Sequence, residues 1–274
     1  MPTMTKLAAA IMVESLDAAL AQAATAAEQG ADLVEYRLDN FTDDVKQVEQ
    51  LVADSPLPCI VTCRPTWEGG EYDGDDQTRI ALFEHAGLQQ PAYIDIELAA
   101  YQRSANLRQK VHLVVDHPDQ TRSTDTGLIL STHDFNRRPP DLLQKVADMA
   151  AAPACRIIKV AWHARSLRDN LQAFELLRDR YKPTIALCMG EFGQPSRVLA
   201  KKFGALLTFA GLTDETVTAP GQVGVAKLKR LYRWDAIDGG TQVFGVVGWP
   251  VGHSMSPAIH NAGFDAVDYN GVYL

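Results

Sequence analysis

A lysine lies inside an otherwise apolar stretch of the sequence, CRIIKVAW at residues 155–162. A strand of a parallel sheet is covered on both faces, so it should be nearly continuous in apolar residues. Lys159 between Ile158 and Val160 is therefore costly unless its charge is paired or removed. The position leaves two interpretations open. The side chain extends to solvent at the strand end, or the lysine is kept for chemistry.

Polar side chains also occur at or just after the ends of other strand-like runs. The candidate set is Glu35, Arg37, Arg64, Glu68, His133, Lys159, Arg197, Thr218 and Gln222. Taken singly, these residues have structural explanations. Glu35 and Arg37 could form an ion pair, and His133 could be a hydrogen-bonded core histidine. The occurrence of lysine, histidine, glutamate and arginine at the ends of separate strands favours a catalytic site, because barrel enzymes assemble their chemistry there.

A buried lysine near a histidine suits chemistry on a ketone. Burial lowers the pKa of an amine from about 10.4 and increases the neutral fraction, which attacks a ketone to form a Schiff base. The iminium acidifies the neighbouring carbon, and a histidine can take that proton because its pKa lies near the operating pH. Arginines bind carboxylates in bidentate fashion. The set therefore predicts proton abstraction next to the ketone of a small carboxylate.

These residues belong to a chain in which short apolar runs alternate with helix-like stretches. The nine strand-like runs are 7–13, 33–39, 58–64, 92–98, 111–117, 127–135, 155–162, 183–189 and 205–211. Helix-like stretches include 17–29, 139–151, 166–180 and 195–203, with others from about 43 and 76.

The alternation predicts an α/β fold with a parallel sheet, and a span of roughly 230 residues matches a (β/α)8 barrel. Eight strands close a barrel, so one run is misread or very short; 111–117 and 127–135 have little helix between them. The alternative is an open doubly wound sheet, which lacks support because no GxGxxG follows the first strand.

The pattern changes near residue 235. AIDGGTQ (236–242) has the composition of a linker, VFGVVGWP (243–250) predicts a strand and a turn, and SPAIHNAGFDAV (256–267) predicts a helix. We therefore expect one domain over 1–235 and a partial domain over 243–274. Domains shorter than roughly 40 residues usually need a disulfide, a metal or a partner in order to fold, and this segment is shorter than that.

Composition restricts the functional class. The formal net charge of −8 over 274 residues argues against a general nucleic-acid binder. The four cysteines form no CxxC pair, and no zinc-like ligand spacing occurs, so we expect no disulfides, no metal and a reducing compartment. MPTMTKLAAAIMVE lacks the long apolar region and cleavage site of a signal peptide, and no run of about 18 apolar residues occurs. We expect a cytoplasmic protein without a membrane partner.

Six motifs together resemble the type I 3-dehydroquinate dehydratases over about 1–232. They are EYRLD (35–39), TCRPTWEGGE (62–71), STHDF (131–135), RIIKVAW (156–162), SRVLAKKFGALLTF (196–209) and TAPGQ (218–222). The resemblance implies a (β/α)8 lyase of the shikimate pathway of aromatic amino acid biosynthesis. It would remove water from 3-dehydroquinate by syn-elimination, giving 3-dehydroshikimate, without a metal or an organic cofactor.

The resemblance also implies a role for each candidate residue. Lys159 would form the Schiff base, and His133 would take the C2 proton and then help the C1 hydroxyl leave. Glu68 would orient His133, and Arg197 would bind the substrate carboxylate. The residues implied to bind ring hydroxyls or line the pocket are Glu35, Arg37, Arg64 and Gln222. Thr218 stands where many relatives have serine, and the TAPGQ loop would close over the substrate.

The end of the sequence resembles a different family. VVGWPVGHSMSPAIHN (246–261) is similar to the opening of shikimate dehydrogenases, in which Ser254 and Ser256 would bind shikimate. The catalytic lysine, the catalytic aspartate and the glycine-rich NADP loop of that family have no match here. We therefore expect part of a bifunctional dehydratase–dehydrogenase that does not transfer hydride.

Two other functions remain to be weighed against the dehydratase. A class I aldolase would use the same lysine but cleave a carbon–carbon bond; the histidine of STHDF and the TAPGQ loop favour elimination. An inactive barrel that serves an assembly would not need Lys159, His133, Glu68 and Arg197 together. The expected partner is a small-molecule substrate, and the sequence leaves a homodimer open.

Overall fold

Eight parallel strands form one sheet in the computed structural model, which describes residues 4–42, 44–118, 124–213, 218, 221–248 and 250–274. The strands are β1 (Lys6–Met12), β2 (Leu33–Arg37), β3 (Cys59–Thr62), β4 (Tyr93–Glu97), β5 (Gly127–Asp134), β6 (Cys155–His163), β7 (Thr184–Met189) and β8 (Leu207–Gly211).

The sheet closes on itself. Its order is β7-β6-β5-β4-β3-β2-β1-β8, so β1 pairs with both β2 and β8. The two remaining edges approach each other, because the amide of Leu206 donates to the carbonyl of Thr184 at 2.9 Å. The prediction of a (β/α)8 barrel is confirmed, and the open doubly wound alternative is wrong.

Helices surround the barrel and connect successive strands. They are α1 (Leu16–Glu28), α2 (Val45–Ala53), α3 (Asp76–Leu88), α4 (Leu98–Arg103), α5 (Ala105–His112), α6 (Leu142–Ala151), α7 (Asp169–Arg178), α8 (Gln194–Val198), α9 (Ala200–Phe203) and α10 (Val225–Arg230). Several begin where the sequence supplies a cap: the side chains of Ser15, Asp44 and Asp75 accept backbone N–H bonds from the first turns of α1, α2 and α3.

The predicted strand at 111–117 is wrong. The first two residues of that run end α5, and the rest form a turn and loop leading to β5. Val111 and Val115, four residues apart, are both buried, whereas Leu113 between them is half exposed. This is the spacing of a helix face rather than of a strand. A short apolar run does not distinguish the two structures, which explains the ninth strand.

Two apolar clusters hold the barrel together. The larger one lies between the strands and the helices, and the smaller one lies inside the barrel and extends from the amino ends of the strands toward their carboxyl ends. Leu33, Ile60, Ile129, Ile157 and Ile185 belong to the inner cluster. Successive side chains of a strand point to opposite faces, so the residues two and four positions further along also point inward. Those later positions are mostly polar.

A β-bulge sets which side chains of β6 point into the barrel. Leu128 pairs with Cys155, but the next residue, Ile129, pairs with Ile157, so Arg156 is an extra residue in the strand. Cys155 accordingly packs in the outer cluster and Ile157 in the inner one. A one-residue shift exchanges the two faces of a strand. The bulge therefore directs Lys159, two residues after Ile157, into the barrel.

The four cysteines, Cys59, Cys63, Cys155 and Cys188, are buried free thiols, so the prediction of no disulfides is confirmed. Burial raises the pKa of Cys59, Cys63 and Cys188 to about 12. Such thiols pack as small apolar side chains. Within the described residues, no helix has both the length and the hydrophobicity needed to cross a bilayer.

A small βαβ unit follows the barrel; the sequence predicts its first strand and its helix but not its second strand. It consists of β9 (Gln242–Phe244), α11 (Ser256–Ala266) and β10 (Gly271–Tyr273), and its two strands are parallel. Val272 is fully buried in the larger core cluster. Arg233 Nη1 donates to the carbonyls of Tyr269 at 3.0 Å and Gly271 at 2.5 Å, and its Nε contacts Asp265.

We expect Arg233→Ala to release the unit formed by α11 and β10 from the barrel. The carbonyls of Tyr269 and Gly271 would lose their donor, and loss of the buried bond to Gly271 costs about 1–3 kcal/mol. Limited proteolysis should then cleave after residue 240 at least about fivefold faster than in the wild type. Arg230→Ala, which changes an exposed arginine nearby, should leave the cleavage rate unchanged. Equal rates for Arg233→Ala and the wild type would contradict the role of Arg233.

Candidate active site

The barrel residues predicted as candidates meet in one pocket at the carboxyl ends of the strands. The pocket lining includes Glu35, Arg37, Arg64, Glu68, His133, Lys159, Arg197, Thr218 and Gln222. Apolar and small residues complete it: Gly69, Phe135, Ala161, Leu187, Met189 and Phe209. Residues separated by more than a hundred positions are brought together because inward-facing strand positions and the segments that follow the strands meet at one end of the barrel.

Lys159 is buried and its charge is paired. Its Nζ donates to Asp95 Oδ2 at 2.8 Å and to Glu35 Oε1 at 3.2 Å, and lies 4.3 Å from the ring centroid of Phe209. The side chain does not extend to solvent, since only 5% of the residue is exposed. The sequence predicts that the charge of this buried lysine is either paired or removed, and the structure places two carboxylates beside it.

Asp95 connects the lysine to a network that the sequence did not predict. Its Oδ1 accepts from Arg64 Nη2 at 2.7 Å and from Ser131 Oγ at 2.6 Å. Arg64 Nη1 also donates to Glu97 Oε1 at 2.5 Å, and Arg79 Nη2 donates to the other oxygen of Glu97 at 2.5 Å. Burial opposes ionisation of Asp95, but the charges of Arg64 and Lys159 outweigh it and hold the pKa of Asp95 well below its usual range.

The network balances its charges. The cations are Lys159, Arg64 and Arg79, and the anions are Glu35, Asp95 and Glu97. Burial would lower the pKa of Arg64, but Asp95 and Glu97 raise it above its ordinary value. Each of the six side chains contacts at least one member of opposite charge.

A local signal for Asp95 and Glu97 exists in the sequence. In AYIDIEL the two acids alternate with Ile94 and Ile96, which are fully buried. Acids at every second position of a strand mark one polar face. Arg79 has no comparable signal, because it lies on α3 outside the barrel and extends over the end of the sheet to Glu97.

His133 and Glu68 form the second pair of the pocket. Glu68 Oε2 lies 3.0 Å from His133 Nδ1 and accepts the backbone N–H of His133 at 3.1 Å. Burial raises the pKa of Glu68 to about 8. Burial, together with the charges of Arg64 and Lys159, lowers the pKa of His133 well below its usual value. A neutral imidazole is thus favoured, with Nε2 left free of the Glu68 contact.

A tight turn positions Glu68. The residues Thr66–Glu68 form a 3-10 turn that ends at Gly69, whose φ is 76°. A Cβ at Gly69 would lie 2.0 Å from the ring of Phe135. Glycine is required here by both the left-handed backbone and the close approach of the ring.

Arg197 is a buried cation without a carboxylate partner in the described part of the chain. Its Nη1 donates to the carbonyl of Phe209 at 3.3 Å, and its Nε has no hydrogen-bond partner among the described residues. Burial lowers the pKa of Arg197 to about 10. A buried guanidinium that lacks a counter-ion and lines a pocket is suited to bind an anionic ligand.

The remaining candidates lie at the rim. Asp39 holds Arg37 in place, because Arg37 Nε donates to Asp39 Oδ1 at 3.1 Å. The same oxygen accepts the backbone N–H of Arg64 at 2.9 Å. The amide of Thr218 donates to Gln222 Oε1 at 2.8 Å. The predicted closure of the TAPGQ loop involves Ala219 and Pro220, which lie outside the described residues.

The two serines predicted for a second substrate are elsewhere. Ser254 precedes α11, Ser256 is its first residue, and the amide of Ser256 donates to Ser254 Oγ at 3.3 Å. The pocket lining described above does not include them.

The family model for type I 3-dehydroquinase matches residues 7–238. The chain belongs to this family. The prediction of a lyase of the dehydroquinase type is thereby confirmed at the level of the family. A 3-dehydroquinate dehydratase of Methanococcus maripaludis is 33% identical over 226 residues, covering 81% of this chain and 95% of that protein.

Solved structures agree with the fold. The 3-dehydroquinate dehydratase of Geobacillus kaustophilus matches with a TM-score of 0.70 and 25% identity, covering 83% of this chain and 89% of that one. The S. pombe structure described as dehydroquinate dehydratase and shikimate dehydrogenase matches with a TM-score of 0.65 over 99% of this chain and 52% of that one. Its identity of 23% supports the fold alone.

One relative also matches beyond the barrel. The chloroplastic bifunctional 3-dehydroquinate dehydratase/shikimate dehydrogenase of Arabidopsis thaliana is 37% identical over 272 residues. The match covers 98% of this chain but only 43% of that protein. The chain thus spans less than half the length of this bifunctional relative.

We expect Arg79→Ala to destabilise the barrel strongly. It removes one of the three cations from a buried network that holds three anions and takes the donor from Glu97 Oε2. Arg64 still pairs with Glu97, but one negative charge of the network is then uncompensated, which costs about 3–5 kcal/mol. Arg103→Ala removes an exposed arginine whose Nη2 lies 3.5 Å from Asp76, and should cost at most about 1 kcal/mol. Urea unfolding followed by circular dichroism measures both. A loss below about 1 kcal/mol for Arg79→Ala would mean that the network does not depend on it.

Proposed function

We propose that the chain dehydrates 3-dehydroquinate to 3-dehydroshikimate through a Schiff base on Lys159. The observation that carries this proposal is the convergence of three groups on one pocket: the buried lysine, a histidine favoured in its neutral form, and the unpaired Arg197. Relatives that share the family are named 3-dehydroquinate dehydratases. The residues are those required to bind a carboxylate, activate a ketone and move a proton.

Substrate binding begins with charge. The carboxylate of 3-dehydroquinate pairs with Arg197, which supplies the buried guanidinium with the counter-ion it lacks. The ring hydroxyls contact the polar rim, including Arg37, Arg64 and Gln222. These contacts hold the ketone next to Lys159 Nζ, which attacks the carbonyl carbon. Loss of water from the adduct gives an iminium on Lys159.

Elimination then uses His133. The iminium acidifies C2, and the neutral imidazole takes its proton to give an enamine and an imidazolium. The imidazolium then gives this proton to the C1 hydroxyl, which leaves as water while the enamine returns to an iminium. Glu68 holds the orientation of the ring through its contact with Nδ1. Hydrolysis of the iminium releases 3-dehydroshikimate. We propose that neither a metal nor an organic cofactor is needed, because the lysine itself supplies the electron sink.

Reduction with borohydride tests the covalent step. Incubation with 3-dehydroquinate followed by borohydride should add one ligand-sized mass to the wild type and none to Lys159→Ala, as measured by intact mass spectrometry. Lys182→Ala is the matched control, because Lys182 donates to the carbonyls of Ala152 and Cys155 at the opposite end of the barrel. It should retain the adduct.

The other outcomes separate the remaining functions. Enone product without an adduct in the wild type would mean that Lys159 acts only by its charge and that the Schiff-base mechanism is wrong. Neither product nor adduct would favour an inactive assembly barrel. Turnover of a phosphorylated sugar instead of 3-dehydroquinate would favour an aldolase.

We propose further that residues 243–274 correspond to the start of a shikimate dehydrogenase domain. The match to the bifunctional Arabidopsis thaliana protein continues through this segment. Ser254 and Ser256 would contribute to a shikimate site in such a domain. The segment holds one βαβ unit, and we find no counterpart of the catalytic residues or of the NADP loop in these 274 residues.

This polypeptide should therefore not oxidise shikimate with NADP. Absorbance at 340 nm should stay constant while the same preparation still dehydrates 3-dehydroquinate, and a complete shikimate dehydrogenase serves as the positive control. Measurable NADPH formation by the 274-residue chain would contradict the assignment of 243–274 as an incomplete domain.

A further inference from the structure

We propose that Asp95 is the counter-ion of the Lys159 iminium and the residue that positions Nζ for attack. This inference rests on the proposed Schiff-base function. Asp95 can take this role because it lies behind the lysine rather than in the pocket. Asp95 has no exposed surface, and it is not among the described residues that line the pocket.

The two oxygens of Asp95 have separate partners. Oδ1 is anchored by Arg64 Nη2 at 2.7 Å and Ser131 Oγ at 2.6 Å. Oδ2 lies 2.8 Å from Lys159 Nζ. A carboxylate held at one oxygen by the barrel presents the other in a fixed direction. Asp95 therefore determines where the nitrogen lies, and Arg64 and Ser131 determine where Asp95 lies.

Glu35, the other carboxylate near Nζ, has a different position. It lies 3.2 Å from Nζ, accepts Thr62 Oγ1 at 2.9 Å, and lines the pocket. A ligand that enters the pocket contacts Glu35 and competes for its hydrogen bonds. Asp95 faces the lysine from the side away from the ligand, so its contact with the nitrogen persists when the substrate is bound.

Charge balance favours a permanent anion at this position. An ammonium and a ketone give a protonated iminium and one water, so the nitrogen is positive before and after Schiff-base formation. Of the three ammonium protons, two leave with the carbonyl oxygen as water and one stays on the iminium nitrogen, from which it can form a hydrogen bond to Asp95 Oδ2. The nitrogen is neutral in the attacking amine, in the carbinolamine and in the enamine. A fixed carboxylate stabilises both iminium states, before and after elimination.

Asp95 is suited to remain ionised throughout. Arg64 stays beside it whatever the state of the lysine, and the charges of Arg64 and Lys159 hold the pKa of Asp95 low. Glu97 belongs to the same network but contacts Arg64 and Arg79 rather than the lysine. This difference provides a matched control in which the same charge is removed from the same network.

Asp95→Asn and Glu97→Gln test the proposal in the full 274-residue chain. Cyanoborohydride, which reduces protonated iminium ions selectively, traps the adduct with 3-dehydroquinate between pH 5 and 9. For Asp95→Asn we expect the rate of adduct trapping and kcat each to fall by at least about tenfold. The alkaline limb of the plot of trapping rate against pH should move to lower pH by about one unit or more, because the protonated iminium loses its counter-ion. KM should change little, because Asp95 does not line the pocket.

Glu97→Gln should keep the wild-type shape of the trapping profile even if its unfolding temperature is lower. Ser131→Ala is the second variant, since it loosens Oδ1 without removing a charge. It should lower trapping and shift the profile less than Asp95→Asn. If Asp95→Asn fails to fold, Ser131→Ala decides: a wild-type profile there overturns the proposal.

A wild-type profile in folded Asp95→Asn, or an equal shift in Glu97→Gln, also overturns the assignment of Asp95. Failure of the proposed function is recognised separately. In that case the wild type itself forms no trapped adduct, whatever the variants do.

Discussion

The structure depends on the burial of a lysine ammonium in the centre of a protein barrel. An unpaired charge there would cost several kcal/mol by desolvation, so the barrel supplies Asp95 and Glu35 beside Lys159. Those acids require cations of their own, and Arg64 is the first. The series of ion pairs extends through Glu97 to Arg79 on α3, outside the barrel. One catalytic requirement therefore fixes residues on several strands and on a helix.

Apolar residues that stabilise the barrel and polar residues of the pocket lie at different levels along the barrel axis. Inward-pointing residues at the amino ends of the strands, such as Leu33, Ile129 and Ile157, form an apolar floor. Two residues further along β2, β4 and β6, the inward positions carry members of the ion network instead. This arrangement allows a polar interior without loss of the core, because the larger apolar cluster lies outside the sheet. The bulge at Arg156 joins the two regions, since it sets the face on which Ile157 and Lys159 lie.

The two buried cations of the pocket differ in how they are compensated. Lys159 is paired by carboxylates of the protein, which suits a nitrogen that would be positive in the proposed iminium. Arg197 lacks a carboxylate among the described residues and keeps an unsatisfied Nε, which suits a ligand that brings its own negative charge. Burial raises the pKa of Glu68 and lowers the pKa of His133, so the neutral form of each side chain is favoured. An arginine that can attract an anion, a lysine paired by carboxylates and a histidine favoured in its neutral form thus line one pocket.

The sequence by itself determined the fold class, eight of the nine strand positions it suggested, and the residue types in the pocket. Strand and helix periodicity and polar strand ends are local properties, so they are readable without coordinates. The run at 111–117 failed because a short apolar stretch fits a helix end as well as a strand. Only the tertiary structure decided how the lysine is buried. Asp95 is 64 positions from Lys159 and Arg79 is on a surrounding helix, and a compensating charge is defined by distance in space, which strand register and barrel closure set.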